Sequence, residues 1–337
     1  MNRLYCFFIF LISSMFACDS STHEVQRGEV INVYSNTLTS TDKALFTTFE
    51  RASGIKVNII SETANLLMNR LIQQQQDSML ADLILLEGIS YLQQAKQAGL
   101  LDTLSQGSIV NTIPVHLRDT NLQWLSLGYS ANVIGYLQDS VDTLQVRRYA
   151  DLADPQWKNK LGWGTKTKAI YQSQLAAMLA DEGEDATTRW INGLAENIIS
   201  TNNSPPSAAR LSTISDTSAW LGLINTAEYA KSIDGNKPGS PGLVFPSPEA
   251  YLHITGVAIT NSAPHPARAR LLLNYLFSRE VIQQYANMHY LYPARPDAEV
   301  PPRVSRLGEF RADTTSQTDI ARFADEAERL LNSSGWR

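Results

Sequence analysis

Cysteine is nearly absent from this sequence. The 337-residue chain has two, Cys6 and Cys18, and both fall within its first twenty positions. The remainder therefore has no disulfide and no thiolate metal site, and its stability must come from an ordinary core. Excess charge of one sign is also missing. Lys and Arg number 28 against 33 Asp and Glu, a formal net charge of −5, and no basic block occurs. That balance argues against nucleic acid, whose phosphates require clustered positive charge. Long apolar runs are missing too. Residues 4–12 form one that is too short to span a bilayer, and no later segment is long and apolar enough to cross a membrane. Catalytic signatures are equally scarce. There is no His-Glu-x-x-His, no Gly-x-Ser-x-Gly, no P-loop and no dinucleotide fingerprint. Five histidines are scattered and nothing assembles a nucleophile with a base, so no enzyme is expected.

What is present begins with an export pattern. Arg3 supplies a positive start, the apolar run follows, and Ser13-Ser14-Met15-Phe16-Ala17-Cys18 closes it. Small residues before a cysteine at such a point resemble a bacterial lipoprotein processing site. The expectation is a signal peptide over residues 1–17, lipidation of Cys18, and a polar tether over residues 18–29. An ordinary secretory signal cut near the same point is the alternative. Asp19 resembles the signal that retains such lipoproteins on the inner membrane of Gram-negative bacteria. The expected location is therefore periplasmic, with the membrane touched only through acyl chains.

From residue 30 onward, strand and helix signals alternate. Residues 30–34 read as a strand, followed by a loop of hydroxyls and amides. A helix starts near Asp42 with Leu45, Phe46, Phe49 and Ala52 on one face, and Gly54 stops it. Ile55, Val57 and Ile59 mark a strand, and residues 65–76 a second helix. Residues 82–86 form a continuous apolar strand of the kind buried on both faces, ending at Glu87-Gly88. A helix at 90–98 is capped by Gly99. This order predicts a parallel α/β lobe. Further strands are predicted at 124–127, 132–136, 161–164, 219–224, 243–245 and 255–260. Helices are predicted at 170–180 and 266–277, and a terminal one carries Ile320, Phe323, Ala327, Leu330 and Leu331 on one face. Strand placement divides the chain into residues 30–127 plus 253–337 as one lobe and 128–252 as the other.

Ligands of open α/β sheets sit beyond the carboxyl ends of the strands. Four segments hold such positions: the loop opening Ser35-Asn36-Thr37, Glu87, the loop Thr165-Lys166-Thr167-Lys168, and Asn225-Thr226. Each alone reads as a helix cap or solvated surface, and their shared topological position makes them a candidate site. His253 lies in an apolar strand and reads as a satisfied core residue. Asp181, Glu182, Glu184 and Asp185, beside Gly183, read as an exposed turn.

Several segments resemble the periplasmic solute-binding proteins of ferric-iron ABC importers, the bacterial transferrin-like group. The resemblance runs from about Glu29 to Trp336. It is carried by Val33-Tyr34-Ser35, by the run from Thr48 to Val57, and by Ala81-Asp82-Leu83-Ile84. The most specific segment runs from Asp151 to Gly162 and contains Pro155-Gln156-Trp157-Lys158-Asn159-Lys160-Leu161-Gly162. Tyr171-Gln172-Ser173-Gln174-Leu175, Gly256-Val257-Ala258-Ile259 and Tyr292-Pro293 also fit.

The resemblance implies a type II periplasmic-binding fold of two α/β lobes, each a mostly parallel sheet flanked by helices. It also implies capture of a small ligand between the lobes and delivery to an ABC permease and its ATPase. A monomer is expected, with no obligatory cofactor and ferric iron as the transported ligand. The family's iron ligands carry over in part. Glu87 and Tyr171 match ligand positions. The first-loop positions hold Leu38 and Thr39. The family's tyrosine pair is broken by Ala227, with Glu228 and Tyr229 still offering oxygens. Thr167, Asn203 and Asn225 match positions that hold a partner anion, and Lys166 and Lys168 add positive charge there. The alternatives are a small anionic solute such as a phosphate ester or phosphonate, bound without iron, and a sensory lipoprotein with no transport role.

Overall fold

A computed structural model of the chain describes residues 29–39, 42–73, 80–105, 107–162, 168–199, 220–232 and 241–334. The first lobe opens as the sequence pattern implies. Strand β1 (Val30–Ser35), helix α1 (Lys43–Ser53), β2 (Lys56–Ser61), α2 (Ala64–Ile72), β3 (Leu83–Glu87) and α3 (Ile89–Gln97) follow one another. Both β2 and β3 pair parallel to β1. Leu45, Phe46 and Phe49 bury the inner face of α1, while Ala52, expected beside them, is exposed. Gly54 ends the helix at φ 74°, in the left-handed region, and its N–H donates to the Glu50 carbonyl at 2.9 Å. The first four residues of β3 are buried, and the strand is central, with β1 paired parallel along one edge and β7 (Leu252–Ile259) antiparallel along the other.

The two strands expected at 124–127 and 132–136 are one. Strand β4 (Leu125–Tyr136) runs twelve residues with a bulge between Ser126 and Gly128. A bulge absorbs an extra residue without ending the ladder, so a polar, glycine-containing stretch looked like a break. The first half of β4 pairs antiparallel with β7. Its second half pairs antiparallel with β5 (Leu221–Asn225) and β6 (Gly242–Val244). The sheet order is β2-β1-β3-β7-β4-β5, and the two-residue β8 (Tyr292–Pro293) adds to β4 at Gly128 and Tyr129. The strand expected at 161–164 is reduced, within the described residues, to Leu161, which bridges Ile198 and Leu221.

Short helix α4 (Ser108–Thr112) precedes β4. Helices α5 (Lys168–Glu182) and α6 (Glu184–Asn197) build the second lobe, and α7 (Thr226–Ser232) follows β5. Then come α8 (Pro266–Leu276), α9 (Arg279–His289), α10 (Pro302–Ser305), α11 (Gln317–Ala321) and α12 (Ala324–Ser333). The single terminal helix read from the sequence is thus two, α11 and α12. Two main cores result. Ile31, Leu83, Leu125, Val133 and Ile259 belong to one, and Ile134, Leu175, Trp190 and Leu223 to the other. Ile320, Ala327, Leu330 and Leu331 lie in the second core, although residues 253–337 were all assigned to the first lobe from strand order. The tail crosses over because the apolar face of α12 packs on α5.

A buried carboxylate ties this tail to the first lobe. Asp119 is fully buried and takes Lys96 Nζ at 2.6 Å, the Thr318 hydroxyl at 3.1 Å, and the N–H groups of Asn121 and Gln123. Removing one member of a buried pair strands the other charge away from water. Asp119→Ala is therefore expected to destabilise the chain by about 3 kcal/mol, read as a lower urea midpoint at unchanged slope. A midpoint shift within the scatter of surface substitutions would refute this role.

Candidate ligand-binding cleft

The loop after β1 is shaped by its own polar groups. Ser35 is fully buried, and its hydroxyl accepts the N–H groups of Thr37 at 3.1 Å and Leu38 at 3.0 Å. Those two bonds shape the turn. Asn36 brackets the end of β3. Its amide donates to the Glu87 carbonyl at 3.2 Å, and its Oδ1 accepts the Glu87 N–H at 2.9 Å. Thr37 shares a 3.0 Å hydrogen bond with the Tyr285 hydroxyl. Leu38 is fully buried in the first core.

Glu87 is fixed by its main chain but not enclosed. Its side chain is 43% exposed, and Oε1 lies 3.3 Å from Nε2 of His253. Burial of the surroundings would raise its carboxyl. The hydrogen bond from His253, with the positive potential of His253, Lys231 and His289, outweighs that and holds it below the usual glutamate range. Lys231 comes from α7, so the helix after β5 faces the end of β3. His289 is itself held at 2.7 Å by buried Asp42 and packs 4.3 Å from the Tyr285 ring.

On the second lobe several expected ligands have other occupations. Tyr171 is buried in the second core. Its ring lies 6.4 Å from that of Trp190, and its hydroxyl oxygen accepts the Leu223 N–H at 3.4 Å. Burial pushes its phenol far above the usual tyrosine range. Asn225, also buried, caps α7 by accepting the Glu228 N–H at 2.8 Å. Tyr229 is nearly buried and donates to the Pro241 carbonyl at 2.9 Å. Glu228 lies beside it in the first turn of α7. Lys168 opens α5, while Lys166, Thr167 and Asn203 lie outside the described residues. Tyr171 thus packs within the second core, and Asn225 caps α7.

A small pocket joins the lobes next to Glu87. Gly88, Ser90, Tyr91 and His253 line it from the first lobe, Gln172 and Ser173 from α5, and Ala324 from α12. Among the described residues no cluster of three or more His, Cys, Asp or Glu stands ready to enclose a metal. Among the described residues the arrangement presents the Glu87 carboxylate and the His253 imidazole, with amide and hydroxyl groups nearby.

A profile described as bacterial extracellular solute-binding protein matches residues 31–290. The chain belongs to that family. Among similar proteins is iron uptake protein A1 of Synechocystis sp. (strain ATCC 27184 / PCC 6803 / Kazusa). It is 27% identical over 316 residues, covering 91% of this chain and 87% of that protein. A ferric binding protein from Campylobacter jejuni superposes with TM-score 0.83 at 27% identity, covering 91% of this chain and 100% of that one. The Trichodesmium protein called IdiA or FutA, solved with iron and citrate ligands, gives TM-score 0.81 at 25% identity, with 91% and 100% coverage. These neighbours are type II periplasmic binding proteins, and the two-lobed α/β architecture expected of this solute-binding protein is the one present.

His253, Lys231 and the Asp42–His289 pair were not singled out as site residues from the sequence. Each meets Glu87 or its loop only through tertiary contacts. No spacing along the chain announces the β3–β7 register that sets Glu87 opposite Thr255, two residues from His253. Burial alone would raise the Asp42 carboxyl. Hydrogen bonds from His289 and Thr39, with the imidazole's charge, outweigh it and hold the carboxyl below the usual aspartate range. The unfolded chain therefore takes up this proton first. The stabilisation is complete above the ordinary aspartate value and drains away as pH falls through the folded one. Wild type should lose stability steeply below about pH 4. Asp42→Asn should be less stable at neutral pH, with a flatter acid limb in urea unfolding between pH 7 and 3. Parallel acid limbs for the two proteins would contradict this.

Proposed function

We propose that this chain is the extracytoplasmic solute-binding component of an ABC importer, capturing ferric iron between its lobes and delivering it to a membrane permease and its ATPase. The observation that carries the reading is Glu87. It is a carboxylate kept ionised, half-exposed and fixed at the cleft mouth, in a chain whose similar proteins are iron-uptake and ferric-binding proteins. A hard cation favours such an oxygen donor. In this reading the chain acts by binding, and iron is cargo rather than a resident cofactor.

The donor set favours iron that arrives with a chelating anion. Among the described residues no cluster of three or more His, Cys, Asp or Glu is present, which fits a ligand that brings oxygens of its own, and Lys231 brings positive charge to balance an anionic complex. Lys166, Thr167, Lys168 and Asn203 are assigned to the anion's side of the cleft, and Asn36 and Thr37 to the first-lobe rim. Glu228 and Tyr229 remain the second-lobe oxygen candidates, although the Tyr229 hydroxyl must first leave the Pro241 carbonyl. Closure would proceed by hinge motion of the lobes, as in other two-lobed binders. The protein is assigned to the periplasm as a monomer, with Cys18 carrying an acyl anchor to the inner membrane.

Ferric citrate is expected to raise the melting temperature of the chain from Asp19 onward by several degrees, equivalent to about 2.7 kcal/mol at a hundredfold excess over Kd. Citrate alone should not, and Glu87→Gln should lose most of the shift. Stabilisation by phosphate esters or phosphonates, with none by ferric citrate, would replace this reading with anion transport. The anchor has its own readout, the mass of the mature N-terminal peptide. An acylated Cys18 is expected, and a free thiol there would remove the lipoprotein assignment.

A further inference from the structure

We infer that His253 is a metal-binding residue of the cleft, donating Nε2 to the cargo ion alongside the Glu87 carboxylate. The inference rests on the iron-binding reading above and adds a ligand that reading does not contain.

Geometry is the first support. The 3.3 Å between His253 Nε2 and Glu87 Oε1 is close to the separation of two neighbouring donors on one ion. With metal–ligand bonds of about 2.1 Å, adjacent donors at a right angle stand about 3 Å apart. The two side chains need only a small rearrangement to share a cation.

The second support is how His253 is held. It is 6% exposed, yet its Nδ1 is buried and finds no hydrogen-bond partner among the described residues. A buried histidine with a purely structural role ordinarily satisfies both ring nitrogens. Here a half-exposed carboxylate lies beside Nε2, and His253 lines the pocket together with Gln172 and Ser173. A metal-bound imidazole customarily makes an outer hydrogen bond through its second ring nitrogen.

The surroundings single out this imidazole. His289 is committed to Asp42 at 2.7 Å, and His265 lies 3.3 Å from buried Asp82, whose other contacts include the His265 N–H. Glu87 cannot drift from His253, because Asn36 clamps its main chain on one side and the β3–β7 ladder on the other. Two protein donors from one lobe leave the remaining positions to the chelating anion and the opposite lobe.

Pulsed EPR on the wild-type chain loaded with ferric citrate tests this directly, since citrate carries no nitrogen. Modulation from an imidazole nitrogen is expected in wild type and should vanish in His253→Gln. Ferric citrate affinity should fall at least tenfold in His253→Gln, while the melting temperature of the unloaded variant stays close to that of wild type. Iron bound to wild type without nitrogen modulation would overturn the inference and leave the iron-binding reading standing. So would modulation that persists in His253→Gln. Failure of wild type to bind ferric citrate at all would overturn both. The wild-type spectrum decides the matter even if the variant does not fold.

Discussion

One continuous hydrogen-bonded ladder holds both halves of this protein together. β4 spends its first half against β7 and its second half against β5 and β6, and its neighbouring residues Val133 and Ile134 belong to different cores. A strand has two faces and two edges, so a single strand can serve two sheets only if nothing interrupts its pairing. The bulge near Gly128 bends β4 without breaking it. A stacked pair of tyrosines reinforces the crossing. Tyr149 donates to the Asn132 carbonyl at 2.8 Å and accepts the Tyr251 N–H at 3.0 Å, and its ring lies 5.1 Å from that of Tyr251. The cleft, the pocket beside Glu87 and the orientation of α5 are all consequences of where that ladder points.

Around the cleft, polar side chains divide into those that hold the frame and those left available. Ser35, Asn36, Asp42 and Asn225 all accept hydrogen bonds from main-chain N–H groups. A buried donor or acceptor left unpaired costs more than a made bond returns, so such commitments come first. Glu87 differs in that its backbone is clamped while its half-exposed carboxylate meets His253.

The sequence was informative where local rules act. Alternation, apolar runs and stop glycines located the parallel strands and flanking helices of the first lobe to within a residue or two, except that α2 ends at Ile72 and not 76, and Gly54 ends α1 as its position implied. Local rules failed where tertiary pairing decides. Two short strands were one, because nothing in residues 128–131 shows that β7 and β8 lie alongside. One terminal helix was two, because the break near Arg322 preserves the apolar face of the pattern. At the site, Glu87 was legible as the residue ending a fully buried strand. Tyr171 and Asn225 looked equally suitable by position, yet one fills a core and the other caps a helix. His253 read as a core residue, since its neighbours in sequence are apolar and its carboxylate neighbour is remote in the chain.

The pairing of β3 with β7 has a consequence for the order in which this molecule acquires structure. Leu83 meets Ile259 and Glu87 meets Thr255, so the middle of the first sheet cannot zip until three-quarters of the chain has been synthesised. The second lobe is inserted within that closure and its own ladder leans on β4. Closing so long a loop carries an entropic cost that its contacts repay only late. Neither core is complete before the last quarter of the chain, since the first sheet waits for β7 and the second core for α12.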